Sequence, residues 1–134
     1  MNYWLVKSEP GTYSWDNLEK DGKTCWDGVR NFKARNNLKA MKSGDHALFY
    51  HSGEQKAVVG VSKVIKEGYP DPSAKEGPWI AVDLSPVKKL KNPVTLAEVK
   101  ADSQLTNMIL ARQPRLSVQP VTKEEYNLIV TKSK

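Results

Sequence analysis

Apolar and polar residues alternate with a period of two over residues 2–8 (NYWLVKS), with Tyr3, Leu5 and Lys7 opposed to Trp4, Val6 and Ser8. That pattern predicts a strand, and Pro10-Gly11 ends it. A helix is predicted to start at Ser14, whose hydroxyl suits an N-cap, with Tyr13 and Leu18 placed as a hydrophobic staple. It is expected to end by Asp21-Gly22. Over residues 31–42 the period changes to that of a helix: Ala34, Leu38 and Met41 make an apolar stripe, and Gly44-Asp45 stops it. At about 100° per residue, Arg35, Lys39 and Lys42 form a basic stripe beside it, with Phe32 next to them and Asn31 near the border.

Three β-rich runs follow at 45–52, 56–65 and 78–87, the first two joined through Gly53-Glu54. Pro86 puts the end of the third at an edge or bulge. Residues 66–78 between them read as a loop carrying the ring of Tyr69. Thr95 with Glu98, and Thr122 with Glu125, form two capping boxes, each opening a further helix. Residues 115–121 (RLSVQPV) read as a strand ended by Pro120. Five or six strands interleaved with about four short helices predict an α+β domain built on a small mixed β-barrel rather than a doubly wound sheet.

With 134 residues, one compact domain is expected, with a core large enough to need no disulfide or metal. No run approaches the roughly 18 apolar residues of a membrane span. The first ten residues lack a secretory pattern, so an intracellular, cytoplasmic protein is expected: nucleoid-associated in a prokaryote, nuclear in a eukaryote. Cys25 is the only cysteine, which suits a reducing compartment. His46 and His51 stand five apart on one predicted strand and face opposite ways, so no metal site is expected. The net charge of +6 fits a nucleic-acid binder without requiring one.

A P-loop and a nucleophile elbow are both missing. The remaining candidates are aromatic and short polar residues at strand ends and in loops. Trp26, Tyr50, His51, Ser52, Tyr69 and Trp79 suit a slot for a flat polar ring, since stacking tolerates any base while fixed donors and acceptors read its edge. Asn31 and Ser8 suit that edge reading, and Arg30, Arg35, Lys39 and Lys42 suit flanking phosphates. Each has a plainer alternative: Trp4, Trp15 and Trp79 as packing, Asn31 as a helix cap, the basic stripe as a solvated face, His51 as a hydrogen bond at a strand end.

The segments YWLVKSEP (3–10), WDGVRNFKARNNLKAMKSGD (26–45), FYHS (49–52), VVGVSKV (58–64), YPDP (69–72) and RLSVQPV (115–121) resemble the motifs of the EVE domain family. The resemblance implies a PUA-like fold, grouped with YTH, ASCH and SRA-type domains. It also implies non-enzymatic recognition of modified nucleic acid, foremost DNA carrying modified cytosine, with no cofactor. Carried over, the base pocket comprises Lys7, Ser8 and Glu9, the Trp26-to-Asn31 segment including Val29, a wall of Tyr50, His51 and Ser52, and a closing edge of Arg115, Leu116 and Ser117. Ser8 and Trp26 also resemble the Lys-Ser strand end and cage tryptophan of YTH domains. The 66–78 loop is shorter than in many members, which implies a more open lid.

On this reading Asp27-Gly28 turns the chain so that Trp26 stacks on a base and Asn31 reaches its edge. Arg30 either meets a phosphate or braces a carboxylate such as Glu9. A monomer acting on DNA is expected. Three rivals stay open: a reader of modified adenine or tRNA, an enzyme on a base or nucleoside using Cys25 or His51 with Glu9, and an adaptor for a small ligand or protein segment.

Overall fold

The computed structural model describes residues 1–134. In chain order the elements are β1 (Tyr3–Ser8), α1 (Trp15–Asp21), β2 (Thr24–Trp26), α2 (Phe32–Ala40), β3 (His46–His51), β4 (Ala57–Pro70), β5 (Ile80–Thr95), α3 (Leu96–Ala101), α4 (Ile109–Arg112), β6 (Val118–Val121) and α5 (Lys123–Lys132). The strands form one mixed six-stranded sheet in the order β2-β5-β4-β3-β1-β6. Only β1 and β3 run parallel, and the other neighbours are antiparallel. Register shifts along β4 and β5 bend those two long strands, as bulges do, giving a barrel-like sheet that stays open between β2 and β6.

Period-two alternation buries both faces of the central strands. Trp4, Val6 and Phe49 face a core shared with Trp15, Leu18, Ala34 and Leu38 of α1 and α2. Leu5, Leu48 and Tyr50 face a second core with Val99, Leu110 and Ile129 of α3, α4 and α5. The expected caps form. Ser14, Thr95 and Thr122 each close a capping box, the last two with Glu98 and Glu125.

Several expectations change. Residues 66–70 belong to β4, and Tyr69 is a strand residue opposite Ala81. Its hydroxyl donates to Asp83 and also reaches Cys25 Sγ at 3.0 Å. Pro86 lies at a register shift inside β5, which continues through Pro93 to Thr95. The third β run is therefore a strand of 16 residues where the alternation suggested one ending at residue 87, because a bulge lets a strand absorb a residue with no N–H. Residues 24–26 pair with β5 as a short edge strand that the pattern was too brief to reveal. The four-residue α4 was likewise unread, making five helices rather than about four.

Candidate functional site

A cleft of about 500 Å³ opens where β1 ends, between the Thr12-Tyr13 turn, β2 and the turn that follows it. From the expected pocket it is lined by Lys7, Ser8, Glu9, Trp26, Val29 and Ser117, with Arg30 at the rim. Asp27 and Gly28 of the expected Trp26-to-Asn31 segment line it as well, together with Thr12, Tyr13, Thr24 and Cys25, which the sequence had not placed in the pocket. The only local sign was the alternation of residues 24–26 into Trp26, and three residues are too few to distinguish a strand from a loop.

Ser8 follows Trp4 and Val6 onto one face of β1, and its hydroxyl donates to the carbonyl of Tyr13. Trp26 sets its ring edge-on to Phe49, with centroids 5.6 Å apart and planes at 80°, so the core holds the indole while part of it faces the cleft. Lys7 donates to the carbonyl of Pro114 and lies 5.6 Å from the centre of the Tyr50 ring. Burial lowers its pKa. Burial likewise pushes the Cys25 thiol up, against the Tyr69 hydrogen bond that lowers it.

The Asp27-Gly28 turn is held from outside. Gly28 has φ of +78°, in the left-handed region, and its N–H donates to Asp71 Oδ2 at 2.8 Å. Arg30 Nη1 donates to the same oxygen at 3.0 Å, while Asp71 Oδ1 accepts from the Ser73 N–H at 2.7 Å and the Ser73 hydroxyl at 2.6 Å. Burial acts to raise the Asp71 pKa, but these four donors outweigh it and bring it down to about 2. Arg30 thus braces a carboxylate, and that carboxylate is Asp71 rather than Glu9. Asp71 lies in the YPDP segment, which carries part of the family resemblance.

Other expected pocket residues are placed elsewhere. Asn31 caps α2, its side-chain oxygen accepting from the Ala34 N–H at 2.9 Å. With Arg115 and Leu116 it lines a separate recess of about 390 Å³ that also includes Lys33 and Gln113. His51 is buried, with Nε2 accepting from the Trp15 N–H at 3.0 Å and Nδ1 paired with Gln55 Oε1 at 2.7 Å. Tyr50 points into the opposite core, since neighbours on a strand face opposite sides. Residues 50–52 therefore cannot form one wall. Ser52 turns to Ser8 and Glu9 instead of lining the cleft.

Neither Tyr69 nor Trp79 lines the cleft. Arg35 is committed to the carbonyl of Pro78 at 3.1 Å and to Asn36 at 2.7 Å, whereas Lys39 is exposed and Lys42 lies 3.9 Å from Glu67.

The family model described as "EVE domain" matches residues 2–132. The chain belongs to the EVE domain family. Human thymocyte nuclear protein 1 is 38% identical to this EVE domain, the alignment covering 97% of the chain and 73% of the human protein. A crystal structure of a protein from Agrobacterium tumefaciens superposes with a TM-score of 0.97 at 45% identity, covering 99% of this chain and 93% of that one. The crystal structure of the human THYN1 protein in complex with DNA containing 5-methylcytosine superposes with a TM-score of 0.91 at 38% identity, covering 100% and 98% of the two chains. An ASCH protein from Zymomonas mobilis, 14% identical with a TM-score of 0.65, shares the fold.

Proposed function

We propose that this EVE domain is a non-enzymatic reader of modified cytosine in DNA, acting as one domain and a monomer, which accepts the base unstacked in the Trp26 cleft. The observation that carries the reading is the whole-chain likeness to a human protein crystallised with 5-methylcytosine DNA. The cleft has the chemistry such a base needs. Trp26 offers a ring face, and Ser8, Thr24, Ser117 and Lys7 offer hydrogen-bonding groups for the edge. Edge reading passes to these residues because Asn31 caps α2 and lines a separate recess. Lys7, Lys33 and Arg115, with Lys39 further along α2 and Lys42 just past its end, supply a salt-sensitive attraction for the strand. A DNA-bearing compartment, nucleoid or nucleus, is the site of action.

The non-enzymatic reading rests on placement. His51 has both ring nitrogens engaged, by the Trp15 N–H and by Gln55, and does not line the cleft with Cys25. The Cys25 thiol is pushed toward its neutral form, the opposite of an activated nucleophile.

A buried methyl adds about 0.8 kcal/mol, close to fourfold in affinity, so discrimination should be modest. The test is a titration of matched DNA and RNA strands, single and duplex, carrying cytosine, 5-methylcytosine, 5-hydroxymethylcytosine or methylated adenine, at two salt concentrations. A DNA-favoring preference for modified cytosine that survives high salt is expected. Trp26→Ala should remove that preference and leave the salt-sensitive background. Equal loss of both would refute the cleft reading, and a stronger preference for an RNA strand would reassign the polymer.

A further inference from the structure

Phe32 is 60% exposed at the first position of α2, although phenylalanine is among the residues most often buried. It does not stand alone. Its ring stacks on Trp79, with centroids 5.0 Å apart and planes at 28°. The Arg35 guanidinium carbon lies 5.5 Å from the centre of the Phe32 ring, and that of Arg30 lies 5.6 Å from the centre of Trp79. Arg30 also lines the cleft, so the aromatic pair and the cleft share a rim residue. Phe32, Arg35 and Lys39 fall at i, i+3 and i+7, on one side of α2. An aromatic surface thus leads from the cleft onto a line of cations.

Resting on the proposed reading of the cleft, we infer that Phe32 and Trp79 form a second stacking platform, which receives the base adjoining the unstacked one on the same strand. The chemistry is that of single-strand binding sites, where an exposed ring takes the face of any base and neighbouring cations hold the backbone. The guanidiniums of Arg30 and Arg35 are fixed by Asp71 and by the carbonyl of Pro78, so the platform is ordered before a strand arrives. An unstacked base leaves its neighbour with one uncovered face, and an exposed ring beside the cleft covers it. The platform adds affinity without selecting a sequence, since every base has such a face.

The test measures binding of the full chain to 5-methylcytosine DNA by fluorescence anisotropy, with an intact neighbouring nucleotide or with that nucleotide abasic on the 5′ side, the 3′ side or the opposing strand. Phe32→Ala should weaken binding to the intact strand about tenfold, the loss of one base stack. It should leave the methylated-to-unmethylated ratio unchanged, and Phe32→Tyr should restore affinity. One of the two same-strand abasic sites should lower parent affinity by a similar factor and make Phe32→Ala indistinguishable from the parent. Parental affinity in Phe32→Ala, with or without a change in melting temperature, overturns the platform. So does a Phe32 effect that only the opposing abasic site removes. The cleft reading is judged separately, by the methylation preference of the parent and its loss in Trp26→Ala.

Discussion

Asp71→Asn tests how the cleft is held. The carboxylate is completely buried at its side chain and takes four donors, two of which, the Gly28 N–H and Arg30, belong to the turn that presents Trp26. Its pKa is about 2 against an ordinary 3.8. At about 1.4 kcal/mol per pKa unit, holding the charge contributes about 2 kcal/mol. Because folding lowers this pKa, the contribution is fully present above about pH 4 and is lost as pH falls through the folded value near 2.

An asparagine keeps the shape and one oxygen but removes the charge, and should cost about 2 kcal/mol at neutral pH. Urea unfolding of parent and variant at pH 6, 4, 3 and 2.5 measures the difference. The gap should be widest at pH 6, shrink by about half by pH 3 and continue to close below it. A gap that stays constant across the series would refute the assignment of the stabilisation to this charge. A gap under about 0.5 kcal/mol at pH 6 would refute the larger claim that Asp71 anchors the turn.

Two further predictions separate packing and capping from base reading. A Cβ on Gly60 would sit 2.5 Å from the buried ring of Trp15, so Gly60→Ala should destabilise the fold by about 1–3 kcal/mol, seen as a lower urea midpoint. Asn31→Ala should cost about 1 kcal/mol of stability through the lost cap while the methylation preference persists; a lost preference with unchanged stability would return Asn31 to edge reading.

The strands and capped helices that sequence made legible are those whose determinants lie within a few residues. Alternation through Trp4, Leu5 and Val6 and the reciprocal bonds of Thr95 with Glu98 are local devices that form as expected, and Ala34, Leu38 and Met41 are all buried although α2 ends at Ala40, before Met41. Of the motif WDGVRN, the residues Trp26 to Arg30 line the cleft and Asn31 does not. What a side chain does inside that segment was not local. Asn31 could cap or read a base with equal chemical fitness, and only the Ala34 N–H at 2.9 Å shows where its oxygen is spent.

By itself the sequence determined the local devices around the cleft: a tryptophan beside a glycine turn, a serine ending a strand, and an excess of cations. Tertiary structure decided membership and partners. It sent Tyr50 to the opposite core and buried His51 under α1, and it carried Asp71 across 41 residues to Arg30. It also left Phe32 exposed and stacked on the half-buried Trp79 beside the cleft. The physical reason is that burial and pairing between distant segments depend on sheet order and bulges, and a shift of one residue in register turns every side chain of a strand to its other face.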